Sequence, residues 1–257
     1  MNDTKTVDGK TAFELYDTYG FPIDLTRLIA QENKLQVDES GFEQEMKQQK
    51  DRSRAAGAID AEDWIVLKEG SNAFIGYDRL ESDARILKYR KVTAKGKTAY
   101  QIVLDQTPFY AESGGQVGDR GWLQSGTERI EVIDTKKDND LIIHFTLVLP
   151  TDPSTNVQAI VDATQRQLTT VHHSSTHLLH SALRQVLGTH VAQKGSLVNA
   201  EQLRFDFSHF AKVTDEEIER IEQIVNEKIR ENIPVVIKSL PKEEALALGA
   251  MALFGEK

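Results

Sequence analysis

The sequence predicts an α+β protein in three parts: an N-terminal helical segment, a small antiparallel β-barrel, and an α+β core whose long histidine-bearing helix packs on a sheet. Three observations carry this reading. Helical apolar spacing dominates the start of the chain, and a series of short strand-like runs between turn residues follows. A long helical pattern then precedes alternating strands and an amphipathic helix. At 257 residues the chain exceeds the roughly 100–200 of one ordinary domain, and the texture changes place the parts at 1–60, 61–157 and 158–257.

Taking the elements in order, Phe13, Leu15, Tyr16 and Tyr19 share one helical face until Gly20, Phe21 and Pro22 interrupt it, and Leu25, Leu28 and Ile29 resume it. Residues 39–54 form a third, mostly polar helix with Phe42 and Met46 on its apolar side, the pattern of a solvent-bridging helix. Strands are predicted at 64–67, 85–89, 99–104, 130–133 and 141–145. Between the third and fourth lies a segment with glycines at 114, 115, 118 and 121, more than a plain hairpin needs, and Pro150 and Pro153 close the region. A helix from Asp162 to Leu187 ends at Gly188, the usual C-terminal residue. Strand-like runs follow at 196–198 and 203–208. Thr214 with Glu217 makes a capping box for a helix whose stripe is Ile218, Ile221, Val225 and Ile229. A strand at 235–237 and a helix at 243–253 complete the core.

Composition excludes several classes. The chain has no cysteine, which removes disulfides, thiol nucleophiles and thiolate metal sites. No apolar run approaches the roughly 18 residues of a membrane helix, and the first residues lack a secretory pattern, so a cytoplasmic protein without a membrane partner is expected. A net charge of −9 argues against generic nucleic-acid binding by phosphate neutralisation. Residues 161–213 nevertheless carry five basic against three acidic side chains, whereas residues 214–257 carry six against ten, so a local basic surface remains open.

Four of the seven histidines fall at 172, 173, 177 and 180. At about 100° per residue, Leu168, Val171, Leu178, Leu179, Ala182 and Val186 define the buried stripe of the long helix. His173, His177, His180 and Arg184 cluster on the polar side, and His172 lies toward the buried side as a packed or capping residue. His173 and His177, at i and i+4, can aim both imidazoles at one metal ion. A solvated polar face would look the same. A zincin protease is excluded, because Ser174 stands where its glutamate base belongs.

Four stretches in order, FELYDTYGFPIDLT at 13–26, TPFYAESGGQ at 107–116, HSSTHLLH at 173–180 with LGTHVAQKGSLV at 187–198 and LRFDFSH at 203–209, and GAMALFGEK at 249–257, resemble bacterial alanyl-tRNA synthetases. The resemblance implies the end of the tRNA-recognition helices and most of the editing (aminoacyl-tRNA deacylase) domain of that ATP-using ligase. This module hydrolyses tRNA(Ala) mischarged with serine or glycine, with zinc held by HxxxH and a later CxxxH. His173 and His177 match the first pair. Thr176 and Gln193 match its catalytic pocket residues, and Gly114, Gly115 and Lys194 its substrate-binding positions. Departures accompany the match: no CxxxH precedes Lys257, so the zinc set is a half-site with absent or weakly bound metal. No adenylate-forming domain precedes Phe13, so the piece alone should not charge tRNA. Two alternatives stand beside this: a freestanding trans-editing deacylase, and a non-catalytic, metal-free tRNA-binding module. Residues outside the match have their own reading, since Thr176 can bond its own helix and Gly114 and Gly115 can serve a turn needing positive φ.

Overall fold

The structure, a computed structural model, describes residues 6–56, 60–94, 96–236, 238 and 240–249. It divides into two compact units, one of residues 1–60 with 93–97 and one of residues 61–92 with 98–257.

In the first unit, β1 (Thr6–Val7) pairs in parallel with β2 (Gln36–Val37), flanking α1 (Gly9–Asp17) and α2 (Ile23–Glu32), and α3 (Glu39–Ala56) follows. Asp8 caps α1 by accepting from the Thr11 N–H at 2.9 Å. The thin apolar stripe of α3 is not a solvent bridge. Phe42 packs on Phe13 and meets Tyr16 edge-on, with centroids 6.3 and 5.7 Å apart. Gly9 permits that approach, because a Cβ there would lie 2.2 Å from the Gly41 backbone.

Three two-residue strands come next, β3 (Asp60–Ala61), β4 (Ile65–Val66) and β5 (Ala73–Phe74). The barrel strands are β6 (Glu81–Ala94), β7 (Lys97–Leu104), β9 (Gly121–Ser125), β10 (Glu128–Asp138), β11 (Leu141–Thr146) and β12 (Asn156–Val161), with the short β8 (Gln106–Thr107) pairing β5 beside them. Their order is β12-β9-β10-β11-β7-β6, and β12 also pairs with β6, so six strands close on themselves and no barrel strand is left as an edge. Alternate residues Ile102, Leu104, Leu123, Ile130, Val132, Val157 and Val161 fill the interior with Phe109. Strands β9 and β12 were not foreseen. Gly121 opens the first, where a Cβ would meet the Ile160 carbonyl at 2.1 Å, and the second lies directly before the long helix, with the capping Asp162 alone between them.

That helix is α4 (Ala163–Leu187), capped by Asp162 on the Gln165 N–H and stopped at Gly188. It is followed by the hairpin β13 (Ala192–Val198) and β14 (Leu203–Ser208), by α5 (Asp215–Arg230) with its capping box formed, and by α6 (Lys242–Ala247). Leu179, Ala182, Leu183, Val186 and Leu187 pack with Phe205, Phe207, Ile221 and Ile224 into a second core. Two expectations need correction. Leu168 and Val171 are 44% and 56% exposed, so the stripe assigned to the sheet does not pack there, while Thr169, Thr176 and His180 are buried. Val235 and Val236 are exposed and lie in no strand, and Ile237 and residues 250–257 fall outside the described residues.

Candidate functional site

The glycine-rich segment turns once more tightly than a hairpin of ordinary residues could. Ser113 and Gln116 exchange backbone hydrogen bonds at 3.1 and 3.0 Å around Gly114 (φ 60°) and Gly115 (φ 83°), the positive-φ pair a primed turn demands. The turn docks on the end of β13: Val198 N–H donates to the Gly115 carbonyl at 2.8 Å, and Val117 N–H to that of Val198 at 3.0 Å. A Cβ at Gly115 would strike Ser196 at 2.8 Å.

The first half of α4 is fixed to the same loop. Arg166 pairs with Asp119 through Nε and Nη2, and donates to the carbonyls of Gly76 (2.8 Å) and Pro108 (2.9 Å). Asp119 also accepts from the Tyr110 N–H at 2.8 Å, and both side chains are largely buried, so every charge has a partner. Two helical turns onward, His173 Nδ1 lies 2.8 Å from Gln116 Oε1, and its Nε2 lies 3.1 Å from Nε2 of His177. An amide oxygen can only accept, so this contact is a hydrogen bond when His173 carries its proton on Nδ1. Burial, and then the neighbouring His177, push the His173 pKa below its ordinary value, which favours the neutral imidazole.

These groups line a cleft of about 440 Å³ with Phe74, Tyr77, Tyr110 and Arg166. Burial is the largest influence on Tyr110 and raises its pKa, so the phenol keeps its proton. As a metal site the pair fits in part. Two nitrogens bound about 2.05 Å from a tetrahedral ion stand roughly 3.3 Å apart, close to the spacing seen here. Among the described residues, however, no cluster of three or more His, Cys, Asp or Glu could hold a metal.

The other sequence-predicted residues do not line this cleft. Thr176 is buried and donates its hydroxyl to the His172 carbonyl at 2.9 Å, so the hydroxyl's remaining role is as an acceptor. Gln193 stands opposite Phe207 beside a bulge, and Lys194 at that bulge is exposed. The strand does return along the helix: Arg184 holds the Val191 carbonyl at 2.8 Å near one end, and His172 Nδ1 meets the Asn199 carbonyl at 2.7 Å near the other. His180 is turned inward from its expected polar face, its ring 5.2 Å from that of Phe205. Its Nε2 and the Ser196 hydroxyl are buried without a hydrogen-bond partner.

Sequence reasoning did not single out Gln116, Arg166, Asp119 or Tyr110. The available signal was the polar row Thr169, His173, Thr176 and His180, whose spacing matches one helical face as well as the apolar row does. No described helix is long and apolar enough to cross a membrane.

Comparison with known proteins gives the chain's family. The chain is 60% identical over 254 residues to an alanine–tRNA ligase of Cytophaga hutchinsonii, covering 98% of this chain and 29% of that protein. It is 57% identical over 263 residues to that of Bacteroides thetaiotaomicron (100% and 30%), and 52% identical over 254 residues to that of Porphyromonas gingivalis (98% and 29%). The chain thus spans under a third of the length of the curated relatives it matches. The family described as tRNA synthetases class II (A) matches residues 1–165, more than half of the 257, and the chain belongs to that class II tRNA synthetase family.

Proposed function

We propose that this chain holds most of an editing site that hydrolyses the ester of tRNA(Ala) mischarged with serine or glycine, within a cytoplasmic, ATP-using alanine–tRNA ligase. The observation that carries the reading is the convergence of the His173 and His177 Nε2 atoms, 3.1 Å apart, with the Gln116 amide in one cleft. Hydrolysis adds water to the ester carbonyl carbon and breaks its bond to the ribose oxygen, which leaves with a proton. A zinc ion on the pair would supply Lewis acidity toward a carbonyl or a water molecule.

The chain's own residues divide the remaining work. His173 and His177 would hold the ion, and the Gly114–Gly115 turn sets Gln116 against His173. Phe74, Tyr77 and Tyr110 offer ring faces to a terminal base, since stacking on aromatic rings is tolerant of sequence. Arg166 is fully engaged by Asp119 and two carbonyls, so it is not a phosphate contact. The resemblance, rather than the cleft's lining, assigns Thr176 and Gln193 to the serine hydroxyl, which a site built for hydroxyls discriminates strongly from alanine. Lys194, exposed at the bulge, is assigned to the tRNA backbone.

A second reading, a metal-free tRNA-binding module, is favoured by one observation: among the described residues no group of three or more His, Cys, Asp or Glu could hold a metal. Single-turnover deacylation of seryl- and alanyl-tRNA(Ala) separates the two. It would compare this chain with a longer one continuing into the CxxxH stretch that the resemblance implies. Editing requires faster loss of serine than of alanine in the longer chain, abolished by His177→Ala. Equal, background rates for both esters would leave the binding module.

A further inference from the structure

We propose that Gln116 is a positioning residue that holds His173 as its Nδ1–H tautomer, so that the Nε2 lone pair stays turned toward His177 and open to a divalent ion. The metal consequence rests on the editing reading above, whereas the tautomer does not.

The geometry is over-determined. Gln116 is the closing residue of the Ser113–Gln116 turn, with both backbone groups bonded across it and a bridge to Val198 beyond. Its backbone therefore cannot drift, and its side chain is buried at 6% exposure. The acceptor Oε1 lies 2.8 Å from His173 Nδ1. A neutral imidazole has one N–H, and an amide oxygen can only accept, so the proton resides on Nδ1. Without this contact His173 could place its proton on Nε2, where it would face His177 and block a shared ion. Metal-binding histidines generally donate their second nitrogen to such an outer partner, and losing that partner typically costs 10–100-fold in metal affinity. The glycine turn therefore has a second use besides docking on β13: it carries the group that prepares the histidine helix. Gly114 and Gly115 at positive φ are what let the turn deliver Gln116 to that point.

The test uses the metal-free chain with 15N-labelled histidine. Nitrogen shifts should show a protonated Nδ1 and an unprotonated Nε2 at His173. Gln116→Met keeps the volume but removes the acceptor, and should give a mixture of tautomers. Gln116→Glu restores an acceptor and should restore the single tautomer. Thermal unfolding confirms that each variant is folded. If His173 is Nε2–H in the unaltered chain, or if Gln116→Met leaves a pure Nδ1–H form, the proposal is overturned. Cobalt(II) titration, read by visible absorption, should show weakening of roughly 10–100-fold in Gln116→Met and recovery in Gln116→Glu. No cobalt binding by the unaltered chain, with the tautomer as stated, would count against the metal reading of the site while supporting the role of Gln116.

Discussion

The two halves of α4 are built on opposite principles. The first half, from Arg166 to His177, rests on the barrel through polar groups: an ion pair on Asp119 and a histidine on Gln116, with Thr169 and Thr176 buried on the same half. The second half, from Leu179 to Leu187, rests on the hairpin and α5 mainly through aliphatic side chains, with His180 against Phe205. One continuous helix thus spans a site and a core. Apolar packing stabilises without direction, whereas the polar half needs every donor and acceptor in place, since an unpaired buried group costs more than a paired one contributes.

The largest way to break this contrast is Arg166→Ala. Leaving Asp119 buried and unpaired should cost about 3–5 kcal/mol in urea unfolding, and should also weaken metal binding at His173. A loss below about 1 kcal/mol would mean that the polar half is not held by this pair. Leu183→Ala in the apolar half should cost roughly 2–4 kcal/mol, a cavity effect, yet leave the His173 tautomer untouched. A change in that tautomer would show that the two halves are not independent.

Third in size is a pH effect in the barrel. His144 is fully buried, its Nε2 2.8 Å from the Thr107 hydroxyl and its Nδ1 3.1 Å from the Ile102 carbonyl. Burial pushes its pKa from 6.5 down to about 4. The unfolded chain therefore binds this proton first, so stability from the neutral ring is complete above about pH 6.5 and is lost as pH falls toward 4, by at most about 3 kcal/mol. His144→Asn should flatten that part of the profile, and an unchanged slope would exclude His144 as its source. Smaller still, Asp162→Ala removes the α4 cap for about 1 kcal/mol. Leu168→Ser and Val171→Ser should each stay within about 0.5 kcal/mol, because both side chains are exposed. A larger loss from either would restore the stripe that hydrophobicity alone suggested.

That stripe is where sequence reading and structure part. Around the helix, Thr169, Thr176, His180 and Leu183 lie within about 60° of one another, and their common direction is turned by about 90° from Leu168. A wheel weighted by hydrophobicity follows leucine and valine, but the side that is actually buried carries Thr169, Thr176 and His180 as well as Leu183. Polar residues placed inward are a mark of a functional site rather than a core.

The sequence by itself determined the local elements: the caps at Asp162 and Thr214, the stop at Gly188, the strands rich in β-branched residues, and the i, i+4 histidines. These depend on contacts within a few residues, and that information is written locally. Only the tertiary structure decided that β9 and β12 close the barrel and that the glycine turn lands on β13. The same is true of Gln116 reaching His173 and of Arg166 meeting Asp119. These pairings join positions 47 and 57 residues apart, and no local period records which side chain a distant loop will bring.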